Sequence, residues 1–450
     1  MHCDLNGLAL TTSSATPAAS FNRLMASFLA SRADTPRHLA AALADDPEFG
    51  LAHCVRGYLA AMSFDQGKRP IALAAAREAR RHTRGASARE RAHVDALDAW
   101  AAGDLGRAAS VWDQILAEHP RDVLAFRLAH FLHFWLGRPD RMVASVEAVA
   151  PHWDAALPSW GTFLACRCFA LEECGRYPEA EAAGRAAIAH DPSDLWAAHG
   201  LTHVLEMQGR REEGIAWIER LSVHWGEANN LRHHLFWHAA LFHLENGDTG
   251  RVLALYDTAI RDLASPLTQA APDLYIDVQN AASLLFRLGR LGVDVGGRWG
   301  ELADKAESRI GDCLSAFTLP HWMMALCAEE RFAAAERMLE AIRLQAGGPG
   351  EGAAVLRRHA LPVCAAVLAH ARGAYAQAVA WMRPALDGMG RLGGSHAQRD
   401  VLDQLYLDAA ERAGLDQDAR LLLERVAGRW PVPPARRVSY AATARRLGLA

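Results

Sequence analysis

Residues 196–245 contain seven of the chain's 21 histidines, so side chains able to do chemistry are concentrated in this stretch. His199 and His203 are four residues apart, and Glu206 follows three residues later. On an α-helix, residues at i, i+4 and i+7 share one face, so these three side chains should form one stripe. The stretch therefore predicts a helix that presents two imidazoles and a carboxylate to the same place.

His234 and His238 repeat the four-residue spacing on the next predicted helix but one. If the two helices lie side by side, four imidazoles and a carboxylate meet. Neutral imidazoles with a carboxylate suit Zn, Fe, Mn or Ni better than Ca or Mg, so a divalent transition metal is the cofactor we consider. The pattern H-x-x-x-H-x-x-E differs from the H-E-x-x-H of the zincins, so it indicates no known metalloprotease.

Two other interpretations of these side chains stay open. His203, Glu206, His238 and His396 are the candidates for general acid–base catalysis if the protein is an enzyme. A lone helical histidine is more often a half-buried, hydrogen-bonded structural residue, and we interpret His224, His243 and His321 in that way.

Composition excludes several classes of protein. The chain has 450 residues, 51% of them hydrophobic and 22% charged, as in soluble folded proteins. A net charge of −4 and a pI near 6.6 predict no binding to nucleic acid or to an anionic membrane surface. The oligomeric state does not follow from the sequence.

Cysteine usage and the N-terminus predict a cytoplasmic protein. The eight cysteines form no C-x-x-C pair, and we interpret them as buried, reduced thiols. Cys166 and Cys168, two apart on a helix, point in different directions, which favours packing over metal binding. Residues 1–20 lack the pattern of a signal peptide, and we expect part of them to be poorly ordered. No apolar window predicts a transmembrane helix.

Glycine turns recur along the chain and predict an all-α repeat. From residue 21 the sequence is rich in Ala and Leu, with apolar residues at helical spacing. Turn glycines step by 34, 38, 34 and 38 residues at Gly103, Gly137, Gly175, Gly209 and Gly247. Later turns are roughly forty residues apart, so we predict a right-handed α-solenoid of about ten helical hairpins.

Segments 103–122 and 175–194 resemble tetratricopeptide repeats (TPRs), with a turn glycine, small alanines and a proline stop in each. We predict one array over 21–345, a flexible break at Ala346–Gly352 and C-terminal helical repeats over 353–450 that close the groove. The prolines of the segment 430–437 exclude a continuous helix there.

The TPR resemblance also implies which residues line a concave groove. If the turn glycine of each repeat is position 15, positions 2, 5, 9 and 12 or 13 point inward. This register implies that ligand-binding residues are Glu90, His93, Arg127, Trp196, His199, His203, Glu206, His234 and Trp237, with His238 beside them. If these residues form a site, His203→Ala should remove ligand or metal binding at little cost in stability. If they are structural, the same change should cost about 1–3 kcal/mol.

A second cluster lies in the sequence GGSHAQRD at 393–400. Ser395 and Gln398 match a helix capping box. His396, Arg399 and Asp400 then share one helical face, which we expect to face the same cavity as His203. Arg399 is suited to hold a carboxylate or phosphate, and an Arg–Asp salt bridge between helices is the equal alternative.

Longer motifs resemble the tetratricopeptide repeat protein 38 family over nearly the whole chain. The clearest are RERAHVDALDAW (89–100), DLWAAHGLTHVLEMQGRREEGIAW (194–217), HLFWHAALFHLENGD (234–248) and GGSHAQRD (393–400). The resemblance implies an all-helical repeat fold, and it implies family motif positions at His199, His203, Glu206, His234, His238, His396, Arg399 and Asp400. The chain departs from the family pattern at Asn280, Phe286 and Thr318-Leu319. The resemblance brings no reaction with it.

The function predicted from the sequence is binding. We expect a groove lined by His, Trp and Glu that holds a small molecule, a peptide or a partner protein. The alternative is an enzyme that uses the same His/Glu cluster as a metal site or as a general acid and base.

Overall fold

The computed structural model describes residues 2–449 and confirms the predicted all-α fold class. These residues divide into two compact units, one formed by residues 2–201 and 221–232 and the other by 202–220 and 233–449. The predicted break at Ala346–Gly352 lies inside the second unit, and Ala346 at its start is buried as the end of a helix.

The first unit opens with a short antiparallel pair of strands and continues as helices. The strands are β1 (His2–Cys3) and β2 (Ala9–Leu10). The helices are α1 Ala15–Leu29, α2 Thr35–Asp45, α3 Gly50–Met62, α4 Arg69–His82, α5 Ala88–Ala102, α6 Leu105–Glu118, α7 Val123–Trp135, α8 Pro139–Val149, α9 Trp160–Glu173, α10 Tyr177–His190 and α11 Leu195–Met207. The unit boundary crosses α11 after Leu201.

Hairpins of consecutive helices also build the second unit. Its helices are α13 Leu231–Glu245, α14 Thr249–Leu255, α15 Pro266–Ala270, α16 Tyr275–Arg290, α17 Arg298–Ser308, α18 Thr318–Ala328, α19 Phe332–Ala346, α20 Gly350–Val355, α21 Leu361–Ala371, α22 Tyr375–Met382, α23 His396–Arg412, α24 Asp416–Arg429 and α25 Ala441–Arg446, together with α12 Arg211–Ser222. No strand occurs in the described residues after 250, as predicted.

The predicted turns have the backbone that the glycines allow. Gly103, Gly137, Gly175, Gly209 and Gly247 have φ between 62° and 92°, a left-handed conformation that is unstrained only for glycine. Glu330 adopts the same conformation, with φ 54°, at the turn predicted between α18 and α19. The turn spacing predicted from the sequence therefore matches the spacing of these turns in the structure.

Long-range hydrogen bonds connect the N-terminal residues to the helices of the first unit. The backbone N–H and the hydroxyl of Thr11 donate to the Glu90 carboxylate at 2.8 and 2.7 Å. The Asn6 side chain donates to the carbonyl of Arg121 and accepts from Ser159. These long-range hydrogen bonds order the segment, and they cannot be predicted from local composition.

Most cysteines match their interpretation and a few differ. All eight are free thiols. Cys166 and Cys168 are buried, and Cys168 packs against Gly184, as expected for packing residues. Cys3 and Cys174 are exposed and Cys313 is half-buried, because they lie near chain turns rather than inside helices.

One segment corrects the expectation that no helix is apolar enough to span a membrane. By length and composition alone, Gly350–Ala371 qualifies, with a mean hydropathy of 1.3. Its middle carries the exposed Arg357 and Arg358, and its C-terminal part, α21, packs against α18, α19 and α22. Such packing is that of a core helix within the second unit.

Candidate functional site

Three imidazoles converge in the second unit, and we call them the imidazole cluster: His203, His234 and His238. His203 lies on the last turns of α11, and the other two lie one turn apart on α13. The exposed fractions are 0%, 2% and 0%. The ring of His238 lies 4.5 Å from that of His203 and 4.7 Å from that of His234, between centroids.

Ligand atoms in the imidazole cluster are close enough to share one ion. Each of the three histidines offers a ring nitrogen within 4.8 Å of the other two. Such a set of nitrogen ligands fits a transition metal and does not fit Ca or Mg, which prefer oxygen ligands. The i, i+4 spacing on α13 therefore places its two rings as the sequence predicts.

Hydrogen bonds orient two of the rings. His234 Nδ1 donates to Asn280 Oδ1 at 3.0 Å, so the neutral ring carries its proton on Nδ1 and its lone pair on Nε2. His238 Nδ1 and Glu206 Oε2 share a hydrogen bond of 2.5 Å. Metal-bound histidines usually have such a partner on the other nitrogen, because it fixes the ring and makes it a stronger ligand.

Burial keeps His203 and His234 neutral. It lowers the pKa of His203 well below the usual range, and the charges of His234 and His396 lower it further. Burial also lowers the pKa of His234 to about 4, although the bond to Asn280 opposes the shift. Burial raises the pKa of Glu206 to about 8, against the pull of Arg287 and Arg437. At neutral pH His203 and His234 can thus bind a metal without losing a proton.

The low histidine pKa values predict acid sensitivity of the metal-free protein. His234 and His321 both have a pKa of about 4 in the fold, below the unfolded value of 6.5. Between these values the unfolded chain binds more protons, so stability falls as the pH falls from 6.5 towards 4. We expect each residue to cost roughly 2 kcal/mol between pH 7 and pH 5. Because the raised pKa of Glu206 acts in the opposite direction, the check compares two proteins by urea unfolding at both pH values. His321→Gln should change by roughly 2 kcal/mol relative to the wild type between pH 7 and pH 5, in the direction of smaller loss in acid; equal changes in the two proteins would contradict the prediction.

A cleft opens beside the imidazole cluster, and Glu206, which lines the cleft, bonds to His238. We call it the polar cleft, since its polar wall is formed by Glu206, Glu245, Arg287, Asp400, Gln404 and Arg437. Leu241, Leu244 and the ring of Trp430 supply apolar surface.

Asp400 is the hydrogen-bonding centre of the polar cleft. It accepts from Arg437 Nη2 at 2.8 Å, from the Tyr440 hydroxyl at 2.6 Å and from Gln404 Nε2 at 2.7 Å. Burial alone would raise its pKa, but Arg437 and Arg287 hold that pKa below the usual range. An interhelical Arg–Asp pair was one of the two predicted roles, but its arginines are Arg437 and Arg287 rather than Arg399.

The motif GGSHAQRD has mixed roles in the structure. Ser395 and Gln398 form the predicted capping box of α23. Arg399 is buried and bonds to the carbonyl of Gly394 and, at 3.1 Å, to His396 Nδ1. The charge of His396 acts on His203, so the N-terminus of α23 lies near the imidazole cluster.

In the first unit, two predicted ligand-binding residues have structural partners. Glu90 completes a capping box with Ser87 and accepts from Thr11, and it is 1% exposed. His93 Nε2 lies 3.0 Å from Asp122 Oδ2 and is fully buried. Both roles favour folding over ligand binding.

The remaining first-unit candidates form an aromatic group. The guanidinium of Arg127 lies 4.3 Å from the ring centre of Trp196, a cation–π contact. The ring of His199 lies 4.8 Å from Trp196 and 5.0 Å from Phe169. His199 precedes His203 by one turn of α11, but its side chain belongs to the first unit.

Trp237 is a packing residue of the imidazole cluster rather than a groove residue. It is fully buried, its ring stacks on His234 at 5.2 Å, and its N–H donates to the Ser283 hydroxyl. It therefore fixes the ring plane of His234 together with Asn280.

Several residues of the site were not predicted from the sequence. The sequence indicated Asn280 only as a departure from the family pattern. It did not predict as site residues Arg287, Trp430, Arg437 and Tyr440. The dense aromatic and arginine content of the non-helical segment 430–440 is the one signal that could have indicated them.

Comparisons with known proteins add little beyond the fold class. No protein-family model matches the chain. The crystal structure of the yeast Tom70 aligns with a TM-score of 0.39 and 10% identity, over 96% of this chain and 87% of that chain. The structure of Naa15/Naa10 bound to HypK-THB gives a TM-score of 0.25 and 12% identity, over 96% of this chain and 66% of that chain. Such values support no functional argument.

Proposed function

We propose that this protein is a binding protein whose second unit holds a divalent transition metal at His203, His234 and His238. The observation that carries the proposal is the convergence of three buried imidazoles, two of which have Nδ1 partners at Glu206 and Asn280. Three protein ligands are the number found in sites that keep one metal position open. A bound metal of this kind would supply Lewis acidity.

The wider assignment rests on the sequence motifs. We propose membership of the tetratricopeptide repeat protein 38 family and a cytoplasmic location, supported by the quoted motifs and by eight free thiols. The ligand or partner that the polar cleft accepts would contact Glu206, which connects the cleft to the imidazole cluster. His199 lies outside the second unit and is not included in the proposed metal set.

A second candidate is an enzyme on the same scaffold. Glu206 lines the polar cleft and bonds to His238, and its pKa of about 8 lies near neutral pH. A carboxyl with such a pKa can hold or deliver a proton at Oε2. This candidate needs a substrate in the polar cleft as well as a metal.

Metal titration tests the proposal. Metal-free protein is titrated with Zn²⁺, Ni²⁺, Mn²⁺ and Mg²⁺ by calorimetry, and we expect one site per chain that takes Zn²⁺ or Ni²⁺ and rejects Mg²⁺. Asn280→Ala removes the acceptor of His234 and should weaken binding about 10- to 100-fold. The matched control is Gln279→Ala, whose buried amide bonds to Thr318 instead.

Two outcomes would contradict the metal site. One is the absence of saturable Zn²⁺ binding by the folded wild-type protein. The other is equal loss of affinity in Asn280→Ala and Gln279→Ala, which would mean that helix α16 acts through packing alone.

A further inference from the structure

Two buried N–H donors beside the polar cleft lack acceptors. Nη1 of Arg437 and Nε1 of Trp430 have no hydrogen-bond partner, although both residues line the cleft. Arg437 is 6% exposed and Trp430 is 5% exposed. An unpaired buried donor is unfavourable, so an acceptor that enters the cleft would be favoured at this position.

Neither Asp400 nor Glu245 accepts a hydrogen bond from these two atoms, and both carboxylates are bonded to other donors. Asp400 accepts from Arg437 Nη2, Tyr440 and Gln404. Glu245 accepts from Arg211 at 3.0 Å and from the backbone N–H of Val438 at 3.0 Å.

Charge and shape favour one class of anion. Arg437 shares its charge with Asp400, and Arg287 lies 3.7 Å from the same carboxylate, so only a partial positive charge remains for a ligand. Such a balance suits a monoanion better than a dianion. The Trp430 ring, under the Arg437 guanidinium at 3.8 Å, and the leucines of α13 offer apolar surface to the rest of the molecule.

We infer that the polar cleft binds a small organic carboxylate with an apolar body. Its carboxylate accepts from Arg437 Nη1 and Trp430 Nε1, and its apolar part contacts Leu241 and Leu244. This site is separate from the proposed metal site, and the test uses metal-free protein, so either proposal can fail without the other.

Calorimetry with defined probes tests the inference. Metal-free full-length protein is titrated with benzoate, with the uncharged isostere benzamide and with inorganic phosphate. We expect benzoate to bind saturably and at least about ten-fold more tightly than benzamide, because hydrogen bonds to a charged group are the stronger ones. Trp430→Phe, which keeps an aromatic ring under Arg437, should weaken benzoate about ten-fold and leave benzamide less affected.

The control variant is Trp322→Phe, since Trp322 is a buried tryptophan of the second unit outside the cleft lining. It should bind benzoate as the wild type does. Arg437→Lys is a second variant, and its circular dichroism shows whether it folds before binding is measured. Equal affinity for benzoate and benzamide, preference for phosphate, or unchanged benzoate binding by Trp430→Phe would each overturn the inference.

Discussion

Zn²⁺ binding should be lost when His203 is replaced by alanine. The variant removes one of three proposed nitrogen ligands, and we expect at least about a 100-fold loss of affinity, more than from removing the hydrogen-bond partner of a ligand. The readout is the rise in melting temperature on adding Zn²⁺, which should be present in the wild type and absent in the variant.

His321→Ala is the matched control for this experiment. His321 is also a buried, neutral histidine of the second unit, but its Nδ1 donates to the carbonyl of Phe317 rather than facing the imidazole cluster. The His321→Ala variant should lose stability, and its melting temperature should still rise when Zn²⁺ is added. If both variants respond to Zn²⁺ as the wild type does, the imidazole cluster is structural.

The stability cost of His203→Ala also differs from the sequence-based expectation. The groove register implies a small cost, whereas His203 is 0% exposed and packs against two imidazoles. Removal of a fully buried side chain leaves a cavity, and we expect about 1–3 kcal/mol without metal. The melting temperature of the metal-free variant measures it.

Asp400→Ala should destabilise the second unit strongly. The change leaves the guanidinium of Arg437 and the hydroxyl of Tyr440 buried without their acceptor. Removal of one partner of a buried ion pair costs about 3–5 kcal/mol, because the other charge stays buried and uncompensated. Urea unfolding, followed by hydrogen exchange in α23, would locate the loss.

A neighbouring aspartate supplies the comparison for Asp400. Asp403 is equally buried, but it pairs with Arg429, whose side chain is 20% exposed and can turn to water. Asp403→Ala should therefore cost less than half as much as Asp400→Ala. Equal losses would mean that helix packing, and not the polar network, determines stability here.

Local sequence patterns predicted the helices, the turns between them and the placement of His234 and His238 on one face of α13. Glycine spacing gave the turns because a left-handed backbone is nearly specific to glycine, and the i+4 spacing of His234 and His238 placed two rings on one face. The sequence also carried an overlooked signal, since Ser87 and Glu90 form an S-x-x-E capping box that indicates a structural carboxylate.

Contacts between distant parts of the chain could not be predicted in the same way. His234 bonds to Asn280, 46 residues away, and Arg287 reaches the carbonyl of Ala397, 110 residues away. Such pairs depend on how hairpins stack, and helical periodicity contains no information about stacking order. The polar cleft is built from such pairs, so it could not be predicted from the sequence.

The polar cleft obtains Trp430, Arg437 and Ser439 from a segment that follows the last long helix. Val432 of this segment lies against Gly209, where a Cβ would come within 2.7 Å of it, so no larger residue fits the turn. During translation the ribosome must pass residue 440 before these side chains exist. A nascent chain can therefore contain all the proposed metal ligands while the polar cleft still lacks one wall. The polar cleft is completed after the imidazole cluster.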